Sequence, residues 1–370
     1  MKEILIVSIG FSPNVGGIET HFDDLVKALN EKNWKTWVLT YKPITTNVKA
    51  SFYEQRGSNI KIYRIPWFSN LFYKLVKNPV AEFLYLTPGL FFSLPIFLLF
   101  KGKNIKTIDS HGLVAGFVSV FWGKIFGKRV ITTTHSIYNF PKKGLYRNFA
   151  FWIFNTSDRV LTLSQQSKKE IERLDVPQNK ISRFTYWIDL NLFKKVDNAK
   201  RILKWDKKFA VLFVGRLVPE KGILELLKST STWNKKIFLA IAGVGPLSAL
   251  IKNQENILYL GSLKQSELPI YYSATDLLIV PSVHEEGFGR VILESLACET
   301  PVLASNRGAI PEALDLSVGK LINISPETLK KEVEYFYNNP QELKGLSKNT
   351  RKYAVRNFSE KNIDQIIKNF

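Results

Sequence analysis

Short apolar runs alternate with amphipathic stretches along most of the chain, and glycine or proline marks many of the joints. Residues 4–8 read as a first strand, followed by a glycine loop and a helix over residues 19–29. Further strand-like runs fall at residues 36–40, 60–65, 106–108, 130–134 and 159–163, with helical spacing between several of them. The second half repeats the pattern at residues 209–214, 237–242, 257–260, 277–280 and 302–304, with helices expected over 263–274 and 290–298. The run at 277–280 is uniformly apolar, as a strand covered on both faces must be. This alternation predicts an α/β fold built on doubly wound parallel sheets. A length of 370 residues favours two cores over one. The polar, charge-rich stretch 183–208 is the expected linker.

Composition narrows the class. Hydrophobic residues make up 45% of the chain, enough for well-buried cores. A single cysteine, Cys298, excludes an intramolecular disulfide and points to a reducing compartment. The four histidines (His21, His111, His135 and His284) show no metal-ligand spacing, and no Asp-x-Asp occurs, so no metal is expected. The apolar N-terminus is short, carries Glu3 and runs into a glycine loop; it reads as a strand rather than a signal peptide, which implies a cytoplasmic protein.

The net charge of +20 favours an acidic partner: nucleic acid, anionic membrane or an acidic ligand. No zinc-finger or RNA-recognition signature is present, which argues against nucleic acid. Residues 83–100 are eighteen consecutive uncharged positions, the length at which a membrane span must be considered. Pro88, Gly89 and Pro95 are expected to break the run into short helices, making it a core or interfacial element. Around it, Trp67, Phe68, Phe72, Tyr73, Lys74 and Lys77, then Phe117, Phe121, Trp122, Lys124, Phe126, Lys128 and Arg129, interleave aromatics with cations. That mixture suits an anionic membrane surface; buried aromatics beside solvated lysines are the other reading.

Candidate chemistry concentrates in two places. In residues 209–222 a buried strand runs into Gly215-Arg216 and then Lys221-Gly222. An arginine just past a strand and a lysine one turn on can converge on a diphosphate, although composition alone reads them equally as surface cations. In residues 276–304, Pro281-Ser282, Glu286-Gly287-Phe288-Gly289 and Glu294 form a strand, glycine loop and helix. Ligands of such units sit beyond the carboxyl ends of the strands, at the helix N-terminus. Taken alone, Glu294 could pair with Arg290 on a solvated helix face. Near the N-terminus, Gly16 and Gly17 would let backbone N–H groups approach a phosphate, or serve only the turn.

Together with Gly308-Ala309-Ile310-Pro311-Glu312, these strings closely resemble the donor site of retaining glycosyltransferases of family 4, the group 1 transferases with a GT-B fold. The resemblance implies two Rossmann-like domains with parallel sheets facing a cleft. It divides the chain into an acceptor-side domain at 1–185 and a donor domain at 186–350, with a terminal helix, 351–370, returning to the first. It implies a UDP- or GDP-linked sugar as donor substrate, with no cofactor and no metal. Arg216 and Lys221 would neutralise the departing phosphate, and Glu294 would hold the ribose. Glu286 with the backbone of Gly287, Phe288 and Gly289 would hold the sugar. Gly16 and Gly17 would face the phosphates, and His135, in Thr133-Thr134-His135, would lie near the transferring sugar. Where the family commonly has Asn-Gly-Val-Asp, this chain has Tyr186-Trp187-Ile188-Asp189, so no role passes to Tyr186 or Trp187. The implied activity is sugar transfer to a lipid-linked or glycan acceptor at the cytoplasmic face of the membrane. A non-transferring sugar-nucleotide binder and a sugar-nucleotide epimerase are the alternatives.

Overall fold

The structure is a computed structural model and describes residues 1–14, 16–46, 48–69, 75, 78–251 and 256–370. The chain divides into two compact units, Met1–Tyr186 with Lys361–Phe370, and Trp187–Glu360.

The first unit is an eight-stranded sheet in the order β3-β4-β2-β1-β5-β6-β7-β8. Its strands are β1 (Lys2–Ser8), β2 (Trp34–Tyr41), β3 (Tyr53–Arg56), β4 (Ile60–Ile65), β5 (Thr107–His111), β6 (Arg129–Thr134), β7 (Arg159–Thr162) and β8 (Ile181–Arg183). All pair in parallel except β3, which runs antiparallel to β4 at one edge. The edge strand β3 and the short β8 escaped the sequence pattern, because neither carries a two-sided apolar run. Strand order reverses between β1 and β5, so the carboxyl ends Ser8 and His111 flank the crevice of this sheet. Helix α1 (Gly17–Glu31) follows β1 and buries Phe22, Leu25, Val26 and Leu29.

Helix α2 (Pro79–Lys101) corrects one expectation: residues 83–100 are not broken into short helices but lie within one helix of 23 residues, with Pro88 and Pro95 inside it. Burial outweighs the lost hydrogen bonds. Leu86, Leu90, Leu94, Phe97 and Leu98 pack in one core with Leu5, Val7, Trp37 and Leu39 of the sheet. The fully buried Tyr41 repairs the ladder locally. Its hydroxyl donates to the Leu86 carbonyl and accepts from the Leu90 N–H at 2.9 Å, bridging a donor and acceptor four residues apart. Gly89 makes the approach possible, since a Cβ there would stand 2.5 Å from the Tyr41 ring. Helices α3 (Gly112–Ile125), α4 (Leu145–Thr156) and α5 (Gln165–Glu172) complete this part of the unit. Phe72, Tyr73, Lys74 and Lys77, grouped above with the membrane-type aromatics and cations, lie outside the described residues.

The second unit is an all-parallel six-stranded sheet in the order β11-β10-β9-β12-β13-β14. Its strands are β9 (Phe209–Val214), β10 (Ile237–Ala242), β11 (Ile257–Gly261), β12 (Leu277–Val280), β13 (Val302–Ser305) and β14 (Gly319–Ile322). Val211, Phe213, Leu239, Ile241, Leu277 and Ile279 share its core with the helices packed on it. Here the order reverses between β9 and β12, which pair through Val211 with Leu277 and Leu212 with Leu278.

Two boundaries differ from expectation. The stretch 183–208 is no open linker: Phe184, Tyr186, Trp187, Ile188 and Phe193 are buried, and Ala199–Ile202 forms a short helix, α6. Its aromatics, scattered among charges, are what fold it down. The segment that joins the first unit begins at Lys361 rather than 351. Between α6 and that segment lie α7 (Ile223–Thr230), α8 (Leu268–Ala274), α9 (Arg290–Ala297), α10 (Pro326–Asn338) and α11 (Pro340–Asn357). Arg351 on α11 donates to the carbonyls of Leu190, Phe193 and Ala297, at 2.9 Å for Leu190 and Ala297, which ties it to the second unit.

Candidate active site

In the second unit the candidate residues gather at the carboxyl ends of β9 and β12, where a parallel sheet reverses its order and leaves a crevice for a ligand. After β9 the chain passes exposed Arg216 and makes a short turn, Pro219–Lys221. Gly222 follows with φ +70°, and a Cβ on it would run into the Pro281 carbonyl oxygen, so the turn packs directly on the end of β12. Two bonds lace the turn to the loop beyond β12: Val283 N–H donates to the Glu220 carbonyl at 3.1 Å, and His284 Nδ1 meets the same oxygen at 2.8 Å.

This lacing brings Lys221 Nζ to 2.7 Å from Glu286 Oε1. Ser282 Oγ donates to the same carboxylate, and the Glu286 carbonyl accepts from Ala309 N–H at 2.8 Å. Glu286 is only 7% exposed. Burial pushes its carboxyl up, but the Lys221 charge and the bonds from Lys221 and Ser282 outweigh it and hold the group below the usual 4.5. Glu286 is therefore an anion at neutral pH. Phe288 is buried against Phe358, and Gly289, at φ +80°, caps α9.

Glu294 corrects the reading of a solvated pair. It does meet Arg290, with Nε to Oε1 at 3.1 Å, but both side chains are almost fully buried. Tyr272 on α8 donates to Glu294 Oε2 at 2.9 Å, and Arg290 also reaches the Trp187 carbonyl at 3.3 Å. Burial, then the Glu294 charge, pushes the Cys298 thiol up to about 12, so it is an inert core group. Tyr272, Ser282 and the buried role of Arg290 were not read as site features. Ser282 and Arg290 stood in the motif strings, whereas nothing local marks Tyr272, which arrives from another helix.

His135, Gly16 and Gly17 belong to the first unit. His111 Nδ1 and His135 Nε2 lie 2.8 Å apart, and His135 Nδ1 lies 2.8 Å from the Tyr186 hydroxyl. His111 Nε2 stands 3.2 Å from Asp109 Oδ2. Burial, then the neighbouring His111, holds His135 well below the usual 6.5. Both His135 nitrogens are thus engaged, and a sugar contact requires one bond to open. Tyr186, to which sequence reasoning gave no role, is the partner.

At the glycine loop the Glu19 carboxylate stands where a Cβ on Gly16 would be and 3.0 Å from a Cβ on Gly10. An acid in the first turn complements the positive end of α1.

A pH dependence follows from His135. Its folded value lies below its unfolded one, so the unfolded chain binds the extra proton and stability falls as pH drops below about 6.5. Thermal melts should show this loss between neutral pH and the His135 titration. It should be much reduced in His135→Gln, and an unchanged profile in that variant would assign the loss elsewhere. The Glu286 contribution fails in a separate window, as pH falls below 4.5 towards its depressed value.

Among the described residues no three or more His, Cys, Asp or Glu gather as metal ligands. Two family models match the chain, "Glycosyltransferase Family 4" over residues 15–192 and "Glycosyl transferases group 1" over residues 195–353. The chain is 24% identical over 329 residues to the phosphatidylinositol N-acetylglucosaminyltransferase GPI3 subunit of Saccharomyces cerevisiae, covering 82% of this chain and 68% of that one. Sucrose-phosphate synthase of Thermosynechococcus elongatus superposes with a TM-score of 0.83 at 20% identity, covering 100% of this chain and 98% of that one. The Anabaena protein HepE, solved in complex with UDP-glucose, gives 0.76 at 18% identity, with coverages of 100% and 98%. Two parallel-sheet units of this kind are the GT-B fold. With the two models together spanning most of its length, the chain belongs to the group 1, family 4 glycosyltransferases.

Proposed function

We propose that this glycosyltransferase moves a hexosyl or N-acetylhexosaminyl group from a UDP-linked donor, with retention, to a lipid-linked acceptor at the cytoplasmic face of the membrane. The observation that carries the reading is the Lys221–Glu286 contact at the reversal point of the second sheet, with the Arg290–Glu294 pair on the helix beyond it. In the proposed reaction the bond between the anomeric carbon and the phosphate oxygen breaks. The acceptor hydroxyl bonds to the same face of that carbon, and its proton leaves with the departing diphosphate. Arg216 and Lys221 neutralise the charge that develops on that diphosphate, a preorganised electrostatic role. Glu286 and the backbone at Gly287, Phe288 and Gly289 hold the sugar. Glu294, positioned by Arg290 and Tyr272, is assigned to the ribose hydroxyls, which a carboxylate accepts as a pair. The UDP-glucose complex of the similar HepE structure supports a uracil donor, and the yeast relative's name supports an N-acetylglucosaminyl group and a lipid acceptor.

Thermal shift against a panel of UDP-, GDP- and ADP-sugars tests the donor. A saturating UDP-sugar at 100 times its Kd should stabilise the protein by about 2.7 kcal/mol, and GDP- or ADP-sugars by much less. A shift only with a GDP- or ADP-sugar would replace the donor in this reading. Transfer should survive EDTA, because the charge neutralisation is assigned to Arg216 and Lys221. Loss on chelation with recovery on adding Mg²⁺ would remove that assignment.

A further inference from the structure

Helix α2 is apolar on both sides, yet only one side is buried. Opposite the core, Val80, Leu84, Phe92, Ile96, Leu99 and Phe100 are each more than half exposed. The neighbouring helices extend this face. Phe91 lies 5.6 Å from Phe92 and 5.2 Å from Phe121 of α3, and Phe117 of α3 lies 5.9 Å from Trp152 of α4. Phe121, Ile125 and Trp152 are themselves exposed. The face is therefore one continuous aromatic and aliphatic surface across three helices, larger than scattered surface apolar residues explain.

Its charge says what covers it. Residues 79–129 carry six cations and two carboxylates, and of those carboxylates Asp109 is buried. The cations collect where α2 and α3 end, beside one another, because Lys128 Nζ donates to the Gly102 carbonyl at 2.8 Å. Lys101, Lys103, Lys106 and Arg129 are exposed there. A second copy packed symmetrically on this face would bring like charges together. A membrane-spanning α2 would have to strip Leu86, Leu90 and Leu94 from the sheet. An anionic bilayer meets both halves of the surface at once, with aromatics at headgroup depth and lysines against phosphate.

We propose that the outer face of α2, α3 and α4 docks this enzyme peripherally on anionic phospholipid bilayers. The inference deepens the lipid-acceptor reading and rests on it for its purpose. Its test needs no transfer reaction, so the two fail separately. The structure also changes which cations to test. Lys124 is paired with Asp158 at 2.9 Å and Lys128 holds Gly102, so neither is a clean probe.

The full chain should co-sediment with vesicles of phosphatidylcholine and phosphatidylglycerol at low salt, and be released at high salt. Pure phosphatidylcholine vesicles should hold far less. The triple variant Lys101→Glu, Lys103→Glu, Lys106→Glu should lower the apparent partition coefficient about tenfold or more. Phe92→Ser with Ile96→Ser and Leu99→Ser should lower it at every salt concentration. Both sets are surface changes in the first unit, whereas the donor residues belong to the second, so the donor-induced thermal shift should stay unchanged and serves as the folding control. No binding to anionic vesicles at low salt overturns the proposal, as does equal binding to neutral ones. Retention through carbonate washing overturns the peripheral mode. A dimer in sedimentation equilibrium that the serine variants dissolve, without vesicle binding, assigns the face to a second copy instead.

Discussion

Lys221→Ala is expected to lower kcat by about 10²-fold or more, the scale for losing one preorganised donor to a developing negative charge. It is also expected to lower stability, which the sequence did not foretell. Lys221 is the charge partner of a carboxylate that is 7% exposed, at 2.7 Å. Removing it leaves Glu286 with Ser282 as its remaining side-chain donor among the contacts described above, a loss of about 1–3 kcal/mol. The two effects separate experimentally. Adding Glu286→Gln to Lys221→Ala should recover much of the melting temperature, because no buried charge is left unpaired, while turnover stays low. Arg216→Ala, at an exposed position, should cut turnover by a similar factor with the melting temperature unmoved. Steady-state kinetics and thermal melts on these three proteins check the scheme. Near-normal turnover in Lys221→Ala would take the residue out of the reaction.

Arg290→Ala should have the largest effect on stability, about 3–5 kcal/mol, as when one partner of a buried ion pair is deleted. The guanidinium and the Glu294 carboxylate are nearly fully buried, and Arg290 also satisfies the Trp187 carbonyl. Arg290→Lys should rescue little, because an ammonium cannot reproduce a planar fork that reaches two acceptors. Glu294→Gln should cost less than Arg290→Ala: the amide oxygen can still accept from Tyr272, and Arg290 keeps the Trp187 carbonyl. Its main loss should be in nucleotide affinity, since an amide presents one acceptor where the carboxylate presented two. Urea unfolding gives the stability term and donor titration gives the affinity term. An Arg290→Ala protein within about 1 kcal/mol of wild type would show that the pair is not the clamp described here.

The period of the apolar positions was enough to place most strands, because a strand covered on both faces must be apolar throughout. β9, β10 and β12 fall on the residues that the pattern marks. The strings around Arg216, Lys221, Glu286 and Glu294 likewise marked residues that the fold gathers beyond the ends of β9 and β12, since backbone turns and helix starts are local features. Tertiary structure decided the rest. α2 stays whole through two prolines because the sheet buries one of its faces and Tyr41, from a distant strand, bridges its ladder. Whether Glu294 is solvated or clamped depends on Tyr272 and Trp187, which approach from elsewhere in the fold. His135 loses its free nitrogens to His111 and Tyr186, residues 24 and 51 positions away. Periodicity records which side of an element is apolar. Partners brought together across long stretches of chain leave no local pattern, because the folded backbone, and not the spacing along it, sets their distance.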